Sequence, residues 1–199
     1  MSRTKGIALD ATNIYWTNDA TTPGTVMQVP RGGGTATTLA SGADPFGVAV
    51  DTTSVYWVNY TSGEVMKVPI GGGTPTTLAS GQSEPIAIAV NSATVYWANY
   101  AAGASGTIMS VPVGGGTPTT LASGQTGPNS IAVDGTSVYW ANPDDGTVKS
   151  VPVDGGSVVP LASGQPAPWD VAVNSTSIYW TNQDNGIADG GTLMGLTPK

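Results

Sequence analysis

Short apolar runs alternate with stretches of Thr, Ser, Gly, Asn and Asp along the whole chain, and the alternation itself recurs five times. The clearest marker is a Tyr-Trp pair, at Tyr15-Trp16, Tyr56-Trp57, Tyr96-Trp97, Tyr139-Trp140 and Tyr179-Trp180. A fixed period of about 40 residues with short apolar runs predicts a radial or stacked repeat architecture. Each copy divides into strand-like pieces. The first is a continuous run of small apolar residues: GIALD (6–10), GVAVD (47–51), AIAVN (87–91), SIAVD (130–134) and DVAVN (170–174). Such runs suit a strand buried on both faces, with Ala at the crowded middle position. The second piece is NIYWTN (13–18) and its four counterparts, rich in the β-branched and aromatic residues that strands favour. Alternation places Val or Ile and Trp on one face and Tyr on the other, so both faces need packing partners. The third piece, such as GTVMQVP (24–30), ends at Pro, which cannot donate to a ladder. A Gly-rich hairpin leads to the fourth, a Thr/Ser stretch with one Leu, such as PTTLAS (75–80), which reads as a half-solvated edge strand.

Hydrophobicity therefore falls from the first piece to the fourth. Four-stranded blades around an axis have that gradient, and the fold expected is an all-β, five-bladed β-propeller. It forms one domain, 1–199, with repeats at about 6–46, 47–86, 87–129, 130–169 and 170–199. The Trp residues, each burying about 200 Å², are expected to be a main source of packing between blades. Five copies exist of the first three pieces but only four of the outer one. The last blade is accordingly expected to have three strands, with 191–196 at its edge. The alternative is a fragment that assembles with another copy. A monomer is the preferred expectation, with self-assembly open because an outer strand is missing.

The composition, with 28 Gly, 15 Pro and 10% charged residues, fits many tight turns between short strands. Six Trp and 39% hydrophobic residues separate it from a disordered chain. A net charge of −7 with six scattered Lys and Arg argues against nucleic acid or an anionic membrane as partner. No apolar run approaches the length of a transmembrane helix, and MSRTK is not a signal peptide. There is no Cys and no His, which excludes disulfides, imidazole and thiolate metal sites, Ser-His-Asp triads and Cys-His dyads.

The YW[TAV]N signature, the [IV]A[VL][DN] strand before it and the V-P-x-G-G-G turn together resemble the YWTD repeats of lipoprotein-receptor propellers, and also bacterial propellers built from similar repeats. The likeness spans nearly the whole chain. Two departures stand out. The Asp of that motif is Asn in all five copies (Asn18, Asn59, Asn99, Asn142, Asn182), and the family closes with six blades where this chain has five copies. The resemblance implies a propeller, and together with the low-charge Thr/Ser/Gly composition it implies an exported or extracellular bacterial protein.

Turns at one end of the repeat are nearly uniform, whereas the loops entering the first strand and following YWxN differ from copy to copy. Positions that differ are free to serve a ligand. The candidates at the first position are Lys5, Phe46, Ile86, Asn129 and Trp169, with Asp170 beside the last. After the YWxN motif come Asp19, Tyr60, Tyr100, Pro143 and Gln183, of which Tyr60, Tyr100 and Gln183 carry suitable chemistry. Aromatic faces with Asn, Asp and Gln suit sugar rings and hydroxyls; the competing reading is that these residues plug the axis and cover turns. Asp184 and Asp189 in the loop 182–191, to which Asp144 and Asp145 in 142–146 add, are the carboxylates weighed for calcium. Their spacing lacks the closing Glu of an EF-hand, so a solvated turn is preferred and no cofactor is expected. The Asp10/Asp51/Asn91/Asp134/Asn174 set recurs in every copy and reads as turn chemistry. The expected function is a non-catalytic binding or scaffold module for a protein or glycan partner. The alternatives are a lectin-like site and, less favoured, a lyase or hydrolase.

Overall fold

The structure is a computed structural model that describes residues 3–19, 23–101, 103–183 and 191–199. Five antiparallel sheets follow one another along the chain. The first contains β1 (Thr4–Leu9), β2 (Asn13–Asn18), β3 (Gly24–Pro30) and β4 (Thr37–Gly42) in that order. The second contains β5 (Pro45–Val50), β6 (Ser54–Asn59), β7 (Glu64–Pro69) and β8 (Thr76–Ala79). The third contains β9 (Pro85–Val90), β10 (Thr94–Asn99), β11 (Gly106–Pro112) and β12 (Thr119–Gln125). The fourth contains β13 (Ser130–Val133), β14 (Ser137–Asn142), β15 (Thr147–Pro152) and β16 (Val159–Ala162). The last has three strands, β17 (Pro168–Val173), β18 (Ile178–Asn182) and β19 (Thr192–Leu196). Four-stranded sheets and a three-stranded last one are what counting the repeat pieces requires.

The chain packs as two compact units, Met1–Val95 with Val111–Pro118, and Tyr96–Ser110 with Thr119–Lys199. In the first unit, register pairs Ile7 with Trp16 and Ala8 with Tyr15, so Trp and Tyr occupy opposite faces. Tyr15, Val26 and Ala40 of the first sheet then pack with Val48, Val55, Trp57 and Val68 of the second. The second unit repeats the rule: Tyr139, Ala141 and Val148 pack with Val171, Ile178 and Trp180. Within each unit the tyrosine face of one sheet thus covers the tryptophan face of the next. Burying a large aromatic side chain this way contributes about 3 kcal/mol or more by area.

The uniform turns do what their composition predicts. Asp10 Oδ1 accepts from the N–H groups of Thr12 (2.6 Å) and Asn13 (2.7 Å), and Asp10 Oδ2 accepts from the Tyr15 hydroxyl (2.8 Å). Asp51 and Asp134 repeat this with Tyr56 and Tyr139, and Asn91 and Asn174 make the same turn with their amide oxygens. Burial alone would push the Asp10 carboxyl up, but the hydrogen bonds from Asn13, Thr12 and Tyr15 outweigh it and hold the group down at about 2. Asp51 and Asp134 are lowered for the same reasons, Asp134 with the added ion pair to Lys199. Desolvation and the adjacent carboxylate push Tyr15 and Tyr56 up to about 12.

A pH dependence follows. Carboxylates held below their unfolded value of about 3.9 stabilise the fold above that value and lose this contribution as pH falls toward 2. Tyrosines held above about 10 stabilise it fully below pH 10 and lose their contribution as pH rises toward 12. No His titrates in between. The thermal midpoint should therefore be nearly flat from about pH 5 to 9 and fall on both sides. A midpoint unchanged between pH 5 and 2.5 would refute this use of the aspartates.

A second network, invisible in the repeat pattern, closes the tryptophans. Gln125 is buried and its Oε1 accepts from Trp140 Nε1 (3.1 Å) and Asn142 Nδ2 (3.4 Å). Gln165 does the same for Trp180 (3.0 Å) and Asn182 (3.2 Å). Where the equivalent residue is Ala43, Trp57 Nε1 donates instead to Asn59 Oδ1 (3.1 Å). Asn142 Oδ1 is buried without a partner, so a turn of its amide could serve Trp140 in the way Asn59 serves Trp57. Gln125→Ala should then cost only about 1 kcal/mol, and Gln125→Ala with Asn142→Ala about 1–3 kcal/mol beyond the two single changes, because the indole N–H is left orphaned. Urea unfolding of the four proteins measures the coupling; additive losses would show that Asn142 offers no second acceptor.

Candidate functional site

The variable loops meet because antiparallel pairing brings the residue after YWxN beside the residue preceding the first strand of the same sheet. Asp19 N donates to Arg3 O (3.1 Å), Tyr60 N to Asp44 O (3.0 Å) and Gln183 N to Ala167 O (2.9 Å). Asp44 and Ala167 are held at φ of 38° and 48°, a left-handed conformation that aims these carbonyls at their donors. Non-glycine residues at such angles concentrate where a loop has to keep one shape.

In the first unit, three of the expected residues come together. The rings of Phe46 and Tyr60 lie 5.2 Å apart, tilted at 31°, and Lys5 Nζ sits 4.2 Å above the Phe46 ring. Lys5 is also 3.1 Å from Asp19 Oδ2, so the ammonium is fixed between a carboxylate and an aromatic face. Such a cation–π contact adds about 0.5–1 kcal/mol at an exposed site. Thr61 Oγ1 donates to Asp44 Oδ2 (2.6 Å), bracing the loop beside Tyr60. Ile86 contributes its main chain: a Cβ on Gly47 would lie 2.8 Å from Ile86 O, so the glycine lets the first strands of adjacent sheets approach. Thr17 Oγ1 receives Gly6 N–H (3.0 Å) and donates to Phe46 O, tying the two sheets at the same level.

In the second unit, Asn129 Nδ2 donates to Trp169 O (3.1 Å), and Ser130 Oγ donates to Asp170 Oδ1 (2.5 Å). Trp169 itself is 42% exposed. The Tyr100 ring edge is 3.3 Å from where a Cβ on Gly127 would be, next to the Asp144 carboxylate. Gln183 is exposed and held by its backbone alone among the contacts described. Asp184 and Asp189 lie outside the described residues. Among the described residues no three His, Cys, Asp or Glu side chains are grouped as a metal site would need.

Sequence reasoning missed Thr17, Asp44 and Ser130. A signal existed for Ser130: the position reads Gly6, Gly47, Ala87, Ser130, Asp170 across the copies, and a hydroxyl followed by a carboxylate at successive copies can pair where first strands adjoin.

A hollow of about 780 Å³ lies in the first unit at the opposite, uniform end. Leu9, Val50, Val90 and Ile70 form its apolar wall, with Asp10 and Asp51 at its margin. Both carboxylates are committed to their own turns and tyrosines, so the hollow lacks converging polar groups with capacity to spare from those two residues.

No family model and no curated protein matches this chain. Solved structures do. A chain of the nidogen/laminin complex superposes with a TM-score of 0.82 at 18% identity, over 98% of this chain and 76% of that one. A streptogramin B lyase superposes at 0.75 with 12% identity, over 98% and 68%. A computationally designed protein reaches 0.70 with 19% identity, over 91% and 56%. The fold is a five-bladed β-propeller. The sheets are its blades, and its structural neighbours include the YWTD propeller of the nidogen type, as the Tyr-Trp repeats imply. At these identities the likeness concerns the fold alone, and the neighbours span a laminin-complexed protein and a lyase.

Proposed function

We propose that this chain is a non-catalytic binding propeller that engages a partner through its variable loops. The observation that carries the reading is the Lys5–Phe46–Tyr60 group: two half-exposed rings and a fixed cation, held by hydrogen bonds from the loop backbone. Rigid aromatic anchors with a positioned charge are the usual centres of protein recognition. That a nidogen chain of the same fold occurs in complex with laminin supports a protein partner. The sequence offers neither His nor Cys, and the three strongly acidic aspartates stabilise turns, which supports binding over catalysis. The low-charge Thr/Ser/Gly surface supports an exported protein.

Carbohydrate is the second reading, favoured by the exposed Trp169 ring beside Asn129 and Asp170. A glycan array probed with the wild type, Phe46→Ala and Trp169→Ala tests it. Binding that drops at least about fivefold in Trp169→Ala supports a sugar site, since stacking of a ring is worth about 1 kcal/mol or more. No binding to any glycan removes this reading and leaves the protein partner. Mass spectrometry of the incubated glycans decides the non-catalytic part: cleavage products would overturn it.

A further inference from the structure

Two blade faces are stripped of the cover that every equivalent face has. On the tyrosine face of the last blade, Leu193 is 73% exposed, whereas Val26, Val65, Ile108 and Val148 at the same place in the other blades are at most 1% exposed. Tyr179 beside it is 38% exposed, against at most 4% for Tyr15, Tyr56, Tyr96 and Tyr139. On the tryptophan face of the first blade, Ile7 is 71% exposed, whereas Val48, Ile88, Ile131 and Val171 are 7–8% exposed. Leu9 on the same face is 60% exposed. These exposures belong to the side chains the repeat uses for packing, and they form contiguous apolar surface rather than scattered single residues.

The established packing says what fits each face. A tyrosine face covers a tryptophan face in both units, with Tyr15 and Val26 against Val48 and Trp57, and Tyr139 and Val148 against Val171 and Trp180. The last blade offers an open tyrosine face and the first an open tryptophan face, so they are complementary to each other and neither is complementary to itself. The polar register agrees. Thr17 Oγ1 accepts from Gly6 N and donates across the blade interface to Phe46 O. Thr181 Oγ1 accepts from Asp170 N (3.3 Å) in the same way, so its hydroxyl has the donor that Thr17 uses to reach the carbonyl of a neighbouring blade.

We propose that the chain binds a second copy of itself head to tail, the tyrosine face of the last blade of one copy covering the tryptophan face of the first blade of the next. The contact is heterologous, so a pair or larger ring closes it and an open chain extends it. This inference is independent of the partner that the variable loops take.

Ile7→Asp blocks one face and Leu193→Asp the other, and both residues are exposed, so neither change should disturb the fold of a single chain. Light scattering after gel filtration should give the wild type at least twice the chain mass of 19.9 kDa, and each variant alone 19.9 kDa. Mixed in equal amounts, the two variants retain one good face each and should form a pair of twice the chain mass and nothing larger. Wild type at the single-chain mass at every concentration, a mixture that stays at that mass, or a variant that assembles alone as the wild type does would each overturn the proposal. Leu9→Asp and Ala172→Asp address the same two faces should either first variant lose its β-sheet circular dichroism.

Discussion

Replacing Trp140 with alanine is expected to lower the unfolding free energy by about 3–5 kcal/mol, the range for truncating a fully buried aromatic residue. Trp140 is fully buried at the centre of β14, paired with Ile131 on one side and Lys149 on the other. Removing the indole opens a cavity in a face the repeat has packed tightly, and it takes away the donor that Gln125 receives. Both losses act together, because the buried glutamine oxygen keeps only Asn142 Nδ2 and a long contact to Lys149. Trp169→Ala is the internal comparison. Its ring is exposed, and the contact described there, from Asn129, goes to the Trp169 carbonyl, which alanine retains. That change should fall within about 0.5 kcal/mol of the wild type. Urea unfolding followed by circular dichroism measures both. Equal losses at the two positions would mean that the Tyr-Trp repeat is not what holds adjacent blades together.

The contrast between these two tryptophans shows which features the sequence makes legible. Trp140 belongs to a period of about 40 residues in which strand, turn and face are fixed together, so its burial follows from alternation. The three-stranded last blade follows from counting, and β19 at Thr192–Leu196 sits where the edge strand was expected. The variable-loop group was legible in part. Antiparallel pairing makes Tyr60 a neighbour of Asp44 whatever the side chains are, but the stacking of Lys5 on Phe46 depends on how one blade is offset against the next. The Gln125–Trp140 bond was not legible because Gln125 falls in what reads as an ordinary turn, fifteen residues from its partner. The open faces were hidden for a different reason. Ile7 and Leu193 look like their buried counterparts in every local respect, and their exposure depends only on what lies beyond the blade.

Gly63→Ala should cost at least about 2 kcal/mol, although it adds a single methyl group. Gly63 sits between the second and third strands of its blade at φ of 67°, where its N–H bonds Asn59 O (3.0 Å) and its carbonyl receives Gln82 N–H (2.9 Å). A side chain in this left-handed region costs about 1–2 kcal/mol by itself. The added Cβ would also lie 2.2 Å from Gln82 O, a backbone atom that cannot swing aside. Relieving that overlap means pulling the loop after β8 away from the turn and losing the bond between Gln82 N and Gly63 O. Gly71 in the hairpin between β7 and β8 is the matched control, because a Cβ there meets nothing within 4 Å. Gly71→Ala should leave stability within about 0.5 kcal/mol, or raise it slightly by restricting the unfolded chain. Thermal and urea unfolding of the pair separate the close approach at Gly63 from a general intolerance of added methyl groups. If the two variants lose stability equally, the contact with Gln82 is not what requires glycine at position 63.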